Sequence, residues 1–329
     1  MPQVTGGVDG PDQLSLFELG VNMAKLRARR AGLVEVMRSA NTRVGYACDW
    51  RRFSAWCAAA GRASLPASTD TVSLYVTHEL ERGLRVATVA RKVAAIAFHH
   101  RQSGHEPPIG GDVRAVVGGA RRERLERPAG KAAVTVEQLV EIERRMCGDD
   151  AATVRDRAIL FFGFASAMRR SELAALDLAD VALTRQGVAV LLRRSKTDQV
   201  GKGRELGIPP AARERALCPV RALRAWLRVR GQRRGPLFVA VSRGGQPLLD
   251  RRLDSQVYAE VVQRAVASIG LDPRAYGAHS LRAGFVTAAG LAGANPLEIM
   301  KRTGHKRMEM VERYCRPGLF ASDPLARAI

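Results

Sequence analysis

Apolar positions in the first third of the chain recur at the three- and four-residue spacing of a helix. Between Val86 and His100 they fall at Val86, Val89, Val93 and Ile96, one continuous stripe, while Arg91, Lys92 and Arg101 occupy other faces. Asn41 to Ala60 reads the same way, with Trp50, Phe53 and Trp56 as inward side chains, and so does Asp70 to Arg82, with Val72, Tyr75 and Val76. The pattern predicts an all-helical N-terminal region with a basic surface. Cations such as Arg51, Arg52 and Arg91 either engage a polyanion or keep a helical bundle solvated, and the residues alone leave both open.

The pattern changes after the charged stretch RRERLERPAGKAA, Arg121 to Ala133, where Pro128 and Gly130 mark an interdomain linker. Beyond it, Ile159 to Ala165 is too uniformly apolar for a surface helix and predicts one buried at the centre of a domain. Val188 to Leu192, a turn at Lys196-Thr197-Asp198 and a return from Arg204 to Ile208 predict a small hairpin or sheet edge. Val220 to Arg230 is helical again, with Leu223, Trp226 and Leu227 inward and Arg221, Arg224 and Arg228 on another face. Asn295-Pro296-Leu297-Glu298 is a helix start, with Asn as cap and Pro at the first position, and that helix stops at Gly304. The fold class expected is mainly α with a small antiparallel β-sheet, in two domains. A leader at 1–12, rich in Gly and Pro, reads as disordered. A helical domain follows at 13–127, a linker at 128–133, and a second domain at 134–329. That second domain ends in a short helix capped at Ser322-Asp323-Pro324.

The chain has 329 residues, enough for two domains that each bury a core. Its 53 Lys+Arg against 32 Asp+Glu give a formal net charge of +21, which points to a polyanionic partner, nucleic acid or an anionic membrane. No apolar run approaches the roughly 20 residues of a membrane span and Met1 to Gly10 lacks a signal-peptide pattern, which favours nucleic acid and the cytoplasm. At 5% aromatic content, contacts to a duplex backbone are expected over base stacking. Cys48, Cys57, Cys147, Cys218 and Cys315 are odd in number and lack C-x-x-C spacing, so they read as free thiols.

Candidate chemistry concentrates in the second half. In Ala167-Met168-Arg169-Arg170-Ser171-Glu172, residues three apart share a helical face, so Glu172 can orient Arg169 but not Arg170. A guanidinium held by a carboxylate presents a preorganised fork to two phosphate oxygens. His279 and Arg282 repeat the one-turn spacing. His305 follows the helix stop at Gly304, and Tyr314 lies on a further short helix with Met308 and Val311. Taken singly, each has a bland reading: a surface ion pair, a structural histidine, a core tyrosine.

The segments AMRRSELAALDLADV, RRSKTDQ, HSLRAGF and TGHKRMEMVERY, in that order between about Val154 and Pro317, resemble the tyrosine recombinase family, which includes Cre, the Xer recombinases and phage lambda integrase. The N-terminal half is similar in length to the helical core-binding domain of that family but holds no diagnostic motif. The resemblance implies a two-domain C-shaped clamp. It also implies that Arg169 and Arg282 clamp the phosphate, with Glu172 beside the first, that Lys196 is the general acid and His279 handles protons, and that His305 fills a position held by His in most members and Trp in Cre. Tyr314 is then the nucleophile.

Those roles agree with elementary chemistry. A phenol with a pKa near 10 needs nearby cations and a base such as His279. Fixed arginines favour the dianionic transition state over the monoanionic ground state. The implied reaction is cleavage of double-stranded DNA at specific sites, through a 3′-phosphotyrosine and a free 5′-hydroxyl, by a homotetramer. Bond energy is kept in the intermediate, so no cofactor, ATP or metal is implied, and the chain contains neither a G-x-x-x-x-G-K-[ST] loop nor a D-x-D pattern. Three alternatives remain: relaxation of supercoils by a type IB topoisomerase-like activity, telomere resolution, and a catalytically inactive sequence-specific DNA-binding protein.

Overall fold

Two large clusters of apolar side chains, one from each half of the chain, and a small third of Val286, Ile299 and Val311 organise the fold seen in a computed structural model that describes residues 22–36, 40–125, 130–193, 203–305, 307–309 and 311. The chain divides between Pro128 and Ala129 into two compact units. The expected leader, the Lys196 turn, Tyr314 and the capped C-terminal helix lie outside the described residues.

In the first unit the described elements are helices: α1 (Met23–Val36), α2 (Ala40–Ala59), α3 (Thr69–Glu81), α4 (Val86–Gln102) and α5 (Gly111–Arg124). The Ser68 hydroxyl accepts the Thr71 N–H at 3.1 Å and starts α3. Phe53, Val72, Tyr75, Val76, Val89 and Ile96 interlock as the core that the periodicity predicts. Two expectations change. Lys92 is not a surface cation: it is 2% exposed, and its Nζ reaches Glu79 Oε2 at 2.8 Å and Tyr75 Oη at 3.1 Å. A carboxylate thirteen residues earlier on α3 makes that burial tolerable. The linker is also shorter than its charge suggests, because α5 continues to Arg124, where the guanidinium donates to the carbonyls of Leu80 (2.5 Å) and Leu84 (3.0 Å).

The second unit begins with backbone bonds from Ala132 N to Ala275 O (2.9 Å) and from Val134 N to Ser280 O (3.1 Å), so the end of the expected linker is already part of it. Thr135 and Gln138 form a capping box that opens α6 (Val136–Arg145). Asp150 caps α7 (Ala151–Ser166), the buried central helix, with Ile159, Leu160, Phe161 and Phe162 all at or below 1% exposure. After the short α8 (Arg170–Ala175) come β1 (Val181–Thr184), β2 (Gly187–Leu192) and β3 (Arg204–Ile208), in an antiparallel sheet ordered β1-β2-β3. The register pairs Val190 with both Val181 and Leu206, and Val188 with Ile208. Val188, Val190, Leu192, Leu206 and Ile208 face the core. The hairpin agrees with the sequence pattern, which does not predict β1.

Then follow α9 (Pro219–Arg230), a second antiparallel pair β4 (Val239–Val241) and β5 (Pro247–Arg252), and α10 (Ser255–Ser268), α11 (Ala278–Leu291) and α12 (Pro296–Thr303). Leu223, Trp226 and Leu227 of α9 are buried as expected. The helix α11 lies against the chain at Val134: a Cβ on Gly284 would come within 1.9 Å of the Val134 carbonyl oxygen, so this contact requires glycine. No helix among the described residues is long and apolar enough to cross a membrane.

Candidate active site

Three stretches of the second unit bring the described candidate residues together. The first is the break between α7 and α8. Ala167 ends α7 in the left-handed region, with φ 51, and Arg169 is the N-cap of α8, in extended backbone. Arg169 and Glu172 are therefore not neighbours on one helical face, as the spacing suggests. They meet through capping geometry: the Arg169 backbone N–H donates to Glu172 Oε2 at 2.9 Å and Nη1 to Oε1 at 2.6 Å. Glu172 is 3% exposed, so its charge is neutralised by these donors and not by water. Arg170 points elsewhere and donates to Gln256 Oε1 at 3.3 Å.

The second stretch is the start of α11. His279 is its second residue, and Arg282, one turn on, is among the largest fully buried side chains at 1% exposure. Arg282 Nη1 donates to the Ala167 carbonyl at 2.7 Å, which ties α11 to the α7–α8 break. A buried guanidinium is retained against a large desolvation cost, and here it lies next to the other candidate groups.

The third stretch is the end of α12. Asn295 accepts the Leu297 N–H at 2.9 Å, Pro296 occupies the first position, and Gly304 ends the helix with φ 68, as the sequence predicts. The Gly304 carbonyl accepts Arg169 Nη2 at 3.3 Å, so the loop that delivers His305 is held by the first arginine. Val311, just downstream, is fully buried, and its N–H donates to Met308 O at 2.8 Å.

The electrostatics record how close these groups are. Although His279 is exposed, partial desolvation of its ring lowers its pKa, with Arg282 and Arg169 adding to the effect. Burial and then Arg282, Arg169 and His279 push His305 down to about 4. Both imidazoles are thus neutral at pH 7 before substrate arrives. Two guanidiniums and two neutral imidazoles form a cluster suited to an anion, with proton acceptors beside it.

Three residues of this region carry no role in the sequence reading. Arg204, at the start of β3, donates through Nη1 to the carbonyls of Lys301 and Arg302, each at 2.8 Å, and so binds the C-terminus of α12. Arg302 donates to Ala165 O at 2.9 Å and to Gly207 O, and its guanidinium lies over the Phe285 ring, 5.7 Å from the centroid. The Thr303 hydroxyl lies 2.9 Å from His305 Nδ1. Thr303 opens the TGHKRMEMVERY segment, and Arg302 adjoins it. Arg204 has no local signal, because its partners lie 97 and 98 residues away.

A mainly helical unit with a three-stranded antiparallel sheet, carrying Arg-x-x-Glu, His-x-x-Arg and Gly-His in that order, is the architecture of the phage integrase family. The chain belongs to that family, whose model matches residues 133–318. Among curated relatives, an integrase/recombinase XerD homolog of Selenomonas ruminantium is 37% identical over 307 residues, covering 92% of this chain and 89% of the relative. Among solved structures, the Tn1549 transposon integrase in complex with transposon right end DNA aligns with a TM-score of 0.61 at 18% identity, over 93% of this chain and 96% of the other. A lambda integrase dimer bound to a COC′ core site aligns with a TM-score of 0.59 at 16% identity, over 89% and 94%. At these identities the structural matches speak for the fold.

Proposed function

We propose that this protein is a site-specific DNA recombinase that cleaves and rejoins duplex DNA through a 3′-phosphotyrosine at Tyr314. The observation that carries the proposal is the convergence of Arg169, Arg282, His279 and His305 from α8, α11 and the end of α12, on an otherwise strongly basic chain.

The reaction runs as follows. A phosphodiester enters between Arg169 and Arg282, whose guanidiniums are already fixed by Glu172 and the Ala167 carbonyl. The Tyr314 hydroxyl attacks phosphorus, and its proton passes to His279, which is neutral and therefore able to accept it. The bond from phosphorus to the 5′ oxygen breaks, and Lys196 gives that oxygen its proton. The arginines hold the added negative charge of the pentacoordinate transition state. A 5′-hydroxyl from the partner strand then attacks the phosphotyrosine, restores the DNA backbone and releases the phenol. One phosphoester replaces another at each step, so no external energy source enters.

The working assembly is a homotetramer on two DNA sites, in the cytoplasm, and the first unit, with Arg51, Arg52 and Arg91 on its helices, is a second DNA-binding body. The relatives named as integrases and recombinases support this reading over topoisomerase, telomere-resolvase or binding-only alternatives.

The test is covalent trapping. Protein expressed in a bacterial host is recovered under denaturing conditions, and the DNA attached to it is sequenced. The expected result is a discrete site linked at Tyr314, lost in Tyr314→Phe, and two copies of that site recombining without loss of DNA. Absence of any adduct would overturn the reading in favour of a binding protein, and relaxation of any supercoiled plasmid without two-site recombination would favour a topoisomerase.

A further inference from the structure

Thr303 is fully buried at the last position of α12, and its hydroxyl oxygen has two close neighbours and a more distant one, the Met300 carbonyl oxygen at 3.5 Å. The Ile299 carbonyl oxygen lies at 2.7 Å and His305 Nδ1 at 2.9 Å. A hydroxyl carries one proton, and a carbonyl can only accept. With the proton given to Ile299, at the shorter distance, the Thr303 oxygen is left to accept, and Nδ1 must be the nitrogen that bears hydrogen. Nε2, on the other side of the ring, then presents a lone pair whenever the imidazole is neutral.

We propose that Thr303 is a positioning residue that locks His305 in the Nδ1–H tautomer, so that a bound phosphodiester meets a lone pair at Nε2 until the ring takes up a proton. Substrate phosphate and proton therefore bind together. The inference rests on the recombinase reading proposed above and adds that His305, beside Arg282 and Arg169, faces the phosphodiester held between them.

The surroundings agree with uptake on binding and not before. His305 is faced by Arg282 and His279 from α11 and by Arg169 at the N-cap of α8, which Glu172 holds; Arg204 of β3 lies with its guanidinium against Gly304, and Arg302 precedes His305 on α12. In the empty site burial and the cations keep the ring neutral. A phosphodiester between the arginines offsets their charge and adds an acceptor for Nε2–H, and both effects favour the imidazolium. The proton comes from solvent and stays on Nε2 while the phosphate is bound.

The direct measurement is nitrogen NMR of the full-length protein with ¹⁵N-labelled histidine, with His305→Gln identifying the signal. At neutral pH the expected pattern is a protonated Nδ1 and an unprotonated Nε2, the same in Thr303→Ser and shifted towards Nε2–H in Thr303→Val, which keeps the shape but removes the acceptor. A wild-type signal of the Nε2–H type, or one unchanged by valine, would overturn the proposal.

Single-turnover adduct formation on a nicked duplex carrying the trapped genomic site provides the second readout. The wild-type rate is expected to fall about tenfold per pH unit on the alkaline limb. Thr303→Val is expected to be about tenfold slower at neutral pH, with a flattened limb, and Thr303→Ser to stay within about twofold of wild type. If His305→Gln cleaves like wild type at every pH, the phosphate-facing reading has failed. If that variant is impaired while Thr303→Val keeps the wild-type profile, the tautomer proposal alone has failed.

Discussion

Arg169 and Glu172 are joined twice: the backbone N–H of the arginine binds one carboxylate oxygen at 2.9 Å and its guanidinium binds the other at 2.6 Å. One side chain thus caps α8 and aims a cation. Glu172→Gln keeps an acceptor for the cap but removes the charge that holds Nη1, and a charge-assisted bond of this kind contributes about 1.5–3 kcal/mol. The expected outcome is a loss of roughly 10- to 100-fold in the rate of covalent adduct formation, with DNA affinity in a gel-shift titration nearly unchanged. A Glu172→Gln enzyme that cleaves at the wild-type rate would show that Arg169 needs no orienting partner.

Gly284 allows α11 to lie against Val134, and α11 carries both His279 and Arg282. A methyl group there would sit 1.9 Å from a backbone oxygen and 2.9 Å from Phe164, so the helix must move. Gly284→Ala is expected to destabilise the second unit by about 1–3 kcal/mol and to slow cleavage in the fraction that stays folded. Gly118→Ala on α5, where an added Cβ meets nothing within 4 Å, is the control. It is expected to be stabilising by up to about 1 kcal/mol from helix propensity. Thermal unfolding of the two variants side by side checks the contrast.

Much of this fold was legible because its determinants are local. The stripe Val86, Val89, Val93 and Ile96, the apolar run of α7 and the Asn295-Pro296 start with its Gly304 stop each lie within one helix, where periodicity and capping operate. The strand β1 escaped notice because Val181 to Thr184 is short and mostly exposed, with no alternation for a pattern to catch. The burial of Lys92 has no local signal for a different reason: its partner Glu79 lies on another helix, and a charge without a visible partner reads as surface. The site divides along the same line. Arg169 with Glu172 and His279 with Arg282 are short-range pairs, whereas Arg204 on the α12 carbonyls is a contact that only the folded chain creates.

The depressed pKa values of His279 and His305 give acid sensitivity a definite sign. Each group takes up its proton more readily in the unfolded chain, near the ordinary value of 6.5, than in the fold, where His305 sits at about 4. Their contribution to stability is therefore complete above pH 6.5 and is lost as pH falls towards 4. In the absence of DNA the urea midpoint is expected to fall over this window, and to fall less in His305→Gln. Carboxylates titrate below pH 5 in both proteins, so the difference between the two curves is the quantity to read. Parallel curves would mean that His305 is solvated in the native site.

The buried pair in the first unit sets up the largest single effect expected. Burial alone would push the Lys92 ammonium down, but its bonds to Glu79 and Tyr75 outweigh that and hold its pKa above the ordinary value. Arg82 adds a third contact, to the other Glu79 oxygen at 3.0 Å. Glu79→Leu strips the countercharge and leaves an ammonium in the core, at a cost of about 3–5 kcal/mol. Lys92→Met removes the cation but strands Glu79, which keeps only the exposed Arg82, so it is expected to be destabilising by a smaller amount. The double variant, Glu79→Leu with Lys92→Met, fills the same space with carbon and is expected to recover most of the loss, because replacing both partners of a buried pair is often neutral. Chemical denaturation of the four proteins forms the cycle. Equal, additive losses in the two single variants would mean that the ammonium and carboxylate act independently, and that α3 and α4 are held together by their apolar faces alone.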